Sequence, residues 1–231
     1  MPRIILVRHG QASFGAADYD CLSSQGVEQA RHLGKVLHAR GENIDALWCG
    51  TLLRHQQTAA NLLQGSAWAL EPRSLAGFDE FDHQQVIARY EPRYSNHQTM
   101  VDEIGAATDP HEAFARMYGK ALARWYGGTA DSDYDEPWNR FQTRCQSALE
   151  QVIDRAGRDE THLVVTSGGV IAVLVQAMLG LGNAATMRIN WTLANAGMTT
   201  LQAGNTRQWQ LLSLNEHSHF RGHHRYLLTW R

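Results

Sequence analysis

The sequence predicts an α/β protein built on a parallel sheet, with a helical insertion. Two observations carry that reading. Short apolar runs alternate with amphipathic helical stretches over the first third of the chain and again after residue 137. Alternation of this kind implies right-handed crossovers and a parallel sheet. Between residues 84 and 135 the alternation breaks, and helical patterns replace it. With 231 residues and no Pro-, Gly- or Ser-rich linker, the chain is expected to form one domain over 1–231, the insertion lying at about 84–135.

The elements follow in order. Ile4-Ile5-Leu6-Val7 is an apolar run rich in β-branched residues, expected as a strand buried on both faces. It stops at Arg8-His9-Gly10. Polar groups at the carboxyl end of a central strand are where open α/β sheets place ligands. Arg8 can hold a phosphate or carboxylate in a bidentate fork, and His9 can serve as nucleophile, acid or base. Gly10, lacking a Cβ, would let a ligand approach the backbone. A polar loop from Gln11 to Leu22 leads to Ser23, a helix N-cap. Val27, Ala30, Leu33, Gly34 and Leu37 then recur at helical spacing up to Gly41.

Residues Ile44 to Cys49 form the second expected strand, followed by Gly50-Thr51 and a helix from Leu53 to Gln64. Arg54 opens that helix, where free amides and the positive dipole end suit an anion and disfavour an arginine without one. Trp68 to Glu71 is expected as a third strand. The acidic residues of Gly77-Phe78-Asp79-Glu80-Phe81-Asp82-His83 lie between aromatics. They fit a carboxylate of raised pKa that donates protons, or a solvated acidic loop.

In the insertion, Asp109-Pro110 caps a helix with Phe114, Met117, Ala121, Leu122 and Trp125 on one face. Pro137 starts another helix. His162 to Thr166 is a strand, Ser167-Gly168-Gly169 a turn, and Val170 to Leu179 a helix. Two last strands, Gly197 to Ala203 and Gln208 to Leu214, flank Gly204-Asn205 as a hairpin.

Composition excludes several classes. A net charge of -2 argues against broad nucleic-acid binding and against an anionic membrane surface. No signal-peptide layout or membrane-length apolar run is visible. Three cysteines without metal spacing fit reduced thiols in a cytoplasm. The tail histidines His217, His219, His223 and His224 have no cysteine or paired carboxylate in ligand spacing, so no metal and no cofactor are expected.

Taken together, Leu6-Val7-Arg8-His9-Gly10, Leu22-Ser23 through Gln29-Ala30, Thr51-Leu52-Leu53-Arg54 through Thr58-Ala59, and Val164 to Ile171 resemble the histidine phosphatase superfamily, in its phosphoglycerate mutase-like branch. Leu214-Asn215 with His219 looks like the family's closing segment. The resemblance implies a three-layer α/β/α sandwich with a mostly parallel sheet and a helical insertion. It implies a metal-independent phosphomonoesterase in which His9 becomes a phosphohistidine. Arg8 and Arg54 would bind the phosphoryl oxygens and Glu80 would be the general acid, with Asp82 fitting that spacing less well. The implied ligand is a phosphorylated small molecule or phosphate ion; the sequence leaves the oligomeric state open, a homodimer included.

Two positions depart from the family pattern. Gln11 replaces a glutamate or hydroxyl residue. Ser167 stands where the family has its second histidine, so Ser167 is expected to touch phosphate in a weakened enzyme, unless His55 or His83 substitutes in space. The competing readings are a phosphomutase and a catalytically impaired phospho-ligand binder using the same pocket. A serine hydrolase built on Ser167 lacks the glycine two residues earlier that a nucleophile elbow requires.

Overall fold

The computed structural model describes residues 1–13, 20–203 and 209–230. They fall into two compact units, residues 1–80 with 144–231, and residues 81–143. The first unit holds a six-stranded sheet in the order β3-β2-β4-β1-β5-β6. Strand β1 (Arg3–Arg8) pairs in parallel with β4 (Thr161–Thr166). Strand β4 pairs in parallel with β2 (Ala46–Cys49), and β2 with β3 (Arg73–Ser74). On the other side of β1, β5 (Met198–Ala203) is antiparallel, and β6 (Trp209–Glu216) is antiparallel to β5. The sheet is thus mostly parallel, and the fold is the α/β architecture expected.

Helices cover the sheet because its strands are apolar on both faces. Helix α1 (Ser24–Ala39) begins at Ser23, whose side chain accepts from the Gly26 amide, and ends before Gly41 at φ +72°. It packs on α2 (Leu53–Ser66). Leu33 and Leu37 of α1 and Ala59 and Leu62 of α2 share a core with Ile5, Val7, Leu47, Leu163 and Val165. Ile4, Leu6 and Val164 alternate to the opposite face and are fully buried. Helix α7 (Gly168–Leu179), buried over its first nine residues, packs against β1 and β6.

The second unit contains α3 (His83–Tyr90), α4 (His97–Gly105) and α5 (Pro110–Tyr126). Asp109 caps α5 by accepting from the Glu112 amide. Its core is aromatic: Phe81 lies 4.5 Å from Trp125 between ring centroids, and Trp125 meets Trp138 edge-on at 5.0 Å. Helix α6 (Trp138–Ile153) then returns the chain to the first unit.

The structure corrects several expectations. Trp68 to Glu71 is not a strand; the third strand is the pair Arg73–Ser74. The chain leaves α2 through Ala67 in the left-handed region, and Trp68 and Leu70 pack on the core instead of joining the ladder. Their alternation records burial of one side, which an extended cover produces as readily as a strand. Helix α8 (Asn183–Thr192) was not visible in the sequence, because its apolar residues do not fall on one stripe and only Thr186 and Met187 are buried. The Gly204-Asn205 turn, Gln208 and much of the loop after Gln11 lie outside the described residues. Among the described residues no helix is long and apolar enough to cross a membrane.

Candidate active site

The site grows from the ends of β1 and β4. Arg8 and Thr166 are register partners, so His9 and Ser167 each follow the last paired residue of adjacent strands. The His9 amide donates to the Thr166 carbonyl at 2.8 Å, and Asn195 Nδ2 donates to the His9 carbonyl at 3.2 Å. Gly10 is needed here for helix packing rather than for ligand approach. A Cβ on Gly10 would lie 2.4 Å from the Gly26 carbonyl oxygen of α1. The next amide along, that of Gly10, donates to Thr58 Oγ1, which in turn donates to the Arg54 carbonyl.

The His9 ring has a defined orientation. Its Nδ1 lies 2.7 Å from the Gly10 carbonyl oxygen. A carbonyl can only accept, so Nδ1 carries the hydrogen and Nε2 keeps its lone pair. Burial lowers the pKa of His9 well below its ordinary value, and the charges of Arg54 and Arg8 lower it further. The ring is therefore neutral at pH 7. It is 8% exposed, enough for one edge to be reached.

Arg54 stands one residue into α2 and is buried. Its Nη1 donates to Asp20 Oδ1 at 2.6 Å, and the other oxygen of Asp20 accepts the Leu53 amide at 2.8 Å. One carboxylate thus neutralises both the arginine and the helix N-terminus, which explains how the arginine is tolerated at the positive dipole end. Arg8 Nη1 donates to the Leu193 and Trp230 carbonyls.

Glu80 follows a short 3-10 turn (Ala76–Phe78), and its Oε2 accepts from the Gly169 amide at the start of α7 at 3.0 Å. Arg144 Nη1 donates to the carbonyls of Ala76, Gly77 and Asp79 and so fixes this acidic segment. Ser167 is the N-cap of α7 and is fully buried. Its hydroxyl lies 2.7 Å from Nε2 of His55, which is equally buried. The other ring nitrogen of His55 faces Asp79 Oδ1 at 3.7 Å, a charge contact longer than a hydrogen bond. Burial lowers the His55 pKa, and Asp79 opposes that shift. Burial would raise Asp79, but His55 and two bonds from Thr51 outweigh it and hold the carboxyl below its usual range. The His55 ring centroid is 5.6 Å from that of His9.

Arg54 acts electrostatically on His9, His55 joins His9 to Ser167, and Glu80 meets the helix that Ser167 caps, while Arg8, held by the Leu193 and Trp230 carbonyls, is tied to the group only through its charge effect on His9. Asp82 instead caps α3 through the Gln85 amide, and His83 is the first residue of that helix in the second unit. Gln11 accepts from the Ser23 hydroxyl and so braces the start of α1. Sequence reasoning missed Asp20, Thr58, Asn195 and Arg144. Thr58 sits one helical turn beyond Arg54 and could have been found by that spacing; the others carry no local signal. Of the tail histidines, His219 and His224 make ring or packing contacts, His217 meets the Asn215 carbonyl, and His223 is exposed. His224 stacks on His32 at 3.8 Å between centroids, and His219 is buried beside Glu216. Glu216 is held at about 2 by His219 chiefly, then by Ser218 and Arg40, against the effect of burial. Among the described residues no group of three or more His, Cys, Asp or Glu could hold a metal ion.

This arrangement, basic groups and one oriented imidazole at the ends of parallel strands, suits an anionic ligand that reacts with a nucleophile. Residues 4–101 and 103–217 match the family model of the histidine phosphatase superfamily, branch 1, and the chain belongs to that family. A 2,3-bisphosphoglycerate-dependent phosphoglycerate mutase of Staphylococcus epidermidis is 33% identical over 93 residues, which are 33% of this chain and 40% of that protein. A 2-carboxy-D-arabinitol-1-phosphatase of Triticum aestivum is 25% identical over 189 residues, 78% of this chain and 33% of the relative. The chain thus spans less than half the length of these two relatives. A solved mycobacterial glucosyl-3-phosphoglycerate phosphatase in complex with inorganic phosphate has the same fold, with a TM-score of 0.63 and 21% identity over 94% of this chain and 98% of the other.

Proposed function

We propose that the protein is a phosphomonoesterase that works through a phosphohistidine at His9 and needs no metal. The observation that carries this is the state of His9. Its Nδ1 is pinned to the Gly10 carbonyl, leaving a neutral Nε2 beside two arginines. In the first step Nε2 attacks phosphorus and the bond to the ester oxygen breaks. The electron pair leaves with that oxygen, which takes its proton from Glu80. In the second step Glu80 removes a proton from water as the water attacks the phosphohistidine, returning phosphate and free His9. Arg54 and Arg8 balance the charge on the phosphoryl oxygens, which is most of what such a transfer asks of a protein. For Arg54 this requires that the phosphoryl group compete with Asp20, whose carboxylate pairs with the arginine in this structure.

The substrate class is a phosphorylated small molecule. Phosphatase is preferred to mutase because hydrolysis needs only this one site, whereas a mutase must also retain a phosphorylated intermediate. The test is a panel of phosphomonoesters assayed without added metal, with acid-labile label sought on His9. Turnover with label supports the reading. Phosphate binding without either would make the chain a binder, and transfer to a second hydroxyl in place of water would make it a mutase.

A further inference from the structure

Ser167, His55 and Asp79 form a line that the steps above do not use. The line starts one residue beyond the Arg8–Thr166 register pair, on the strand next to His9. Adjacent strands lie about 4.8 Å apart, and the His55 ring that meets the serine hydroxyl is 5.6 Å from the His9 ring between centroids, so the hydroxyl stands close to the nucleophile. Behind it come Nε2 of His55 at 2.7 Å and then, across that ring, Asp79 at 3.7 Å. Space for the ring is made deliberately: a Cβ on Gly50 would lie 2.1 Å from His55 Nδ1 and 2.6 Å from Asp79 Oδ1. A buried imidazole is costly unless its polar atoms are hydrogen-bonded; here Nε2 meets the serine hydroxyl, while Nδ1 has only the longer contact with Asp79.

We propose that Ser167 is a hydrogen-bond donor to the transferring phosphoryl group, and that His55, braced by Asp79, is the positioning residue that turns it into a charge-assisted one. The inference rests on the phosphoryl-transfer reading and adds residues to it. Without ligand, neutral His55 accepts the Ser167 hydroxyl hydrogen at Nε2. When a phosphoryl group arrives its negative charge favours imidazolium, and His55 takes up one proton from solvent with the ligand. Nε2 then donates to Ser167 Oγ, and the hydroxyl hydrogen turns to a phosphoryl oxygen. The serine makes no covalent bond, and His55 returns its proton to solvent when phosphate leaves. The groups that act on the ring besides Asp79 are Arg54, which disfavours its charge, Asp20, which favours it, and His9, neutral and 5.6 Å away between centroids. Ser167 alone predicts a weakened enzyme; with His55 behind it the lost imidazole is present by another route.

The experiment measures kcat and its pH dependence on one generic phosphoester for wild type, Ser167→Ala, His55→Ala, His55→Gln and the double alanine variant. Inorganic phosphate binding and thermal unfolding serve as controls for folding. Loss of one such donor costs about a hundredfold in rate. Ser167→Ala and His55→Ala should each lose about that much, and the double variant little more, because the two act as one unit. His55→Gln keeps a neutral donor. It should recover part of the rate and lose the His55 contribution to the alkaline limb of the kcat profile, leaving only the limb set by Glu80. Ser167→His should be slower than wild type, since its ring would meet His55. If wild type turns over and folded Ser167→Ala or His55→Ala keeps its rate within twofold, the relay is overturned while the function stands. An unchanged alkaline limb in folded His55→Gln also overturns it. Covalent label on Ser167 instead of His9 overturns it in favour of a serine nucleophile. A wild type with neither turnover nor label on His9 overturns the phosphatase reading, and the relay with it.

Discussion

Nε2 of His55 lies 2.7 Å from the hydroxyl of Ser167, although 112 residues separate them. One comes from the first turn of α2 and the other from the N-cap of α7. Strands β2 and β4, which precede these helices, are direct neighbours in the sheet. The register that pairs Cys49 with Val165 brings the two turns side by side.

His9→Ala should abolish turnover by at least about a thousandfold and remove acid-labile labelling, because no other group in the cluster offers a free imidazole lone pair at phosphorus. Phosphate should still bind, through Arg54, Arg8 and the helix N-termini. Turnover near wild type in the folded variant would show that the nucleophile is another group.

The acid limb of kcat/KM should lie well below pH 6.5. His9 is needed neutral, and burial with the flanking Arg54 and Arg8 holds its pKa below the ordinary value. Activity is then lost only as pH falls through that lowered pKa. The measurement is a kcat/KM profile from pH 4 upward on a substrate whose own ionisation is corrected for. A limb centred above 6.5 would contradict the neutral ring.

Gly50→Ala should lower kcat by about tenfold or more and destabilise the fold by about 1–3 kcal/mol, the usual range for overpacking a filled site. The new methyl would meet His55 Nδ1 and Asp79 Oδ1, both closer than 3 Å. Steady-state kinetics with a thermal melt check it. Wild-type kinetics at wild-type stability would mean the His55–Asp79 contact is not built as described.

Prolonged chelation should leave kcat unchanged within about twofold. In the proposed reaction Arg54, released from Asp20 by the phosphoryl group, and Arg8 supply the charge that phosphoryl transfer needs. The assay is repeated after dialysis against chelator and again with single divalent ions. Strong loss, restored by one ion, would reassign the chemistry.

The sequence by itself determined the strands at Ile4–Val7 and His162–Thr166, the caps at Ser23 and Asp109, and the placing of Arg8, His9, Arg54 and Ser167 at strand ends or helix starts; Glu80 was singled out only by the family resemblance. The local features are an apolar run ending in polar residues, a serine before a periodic stretch, a glycine turn before a helix. Only the tertiary structure decided that His55 rather than His83 stands behind Ser167. It alone decided that Asp20 answers the charge of Arg54, that Arg144 holds the acidic segment, and that Gly10 exists for Gly26. Those relations join residues 16 to 112 positions apart, through helix packing and strand register, and no local pattern encodes such distances. The strand expected at Trp68–Glu71 failed for the same reason. Alternating burial is a property of the chain, but pairing is a property of the neighbour it finds.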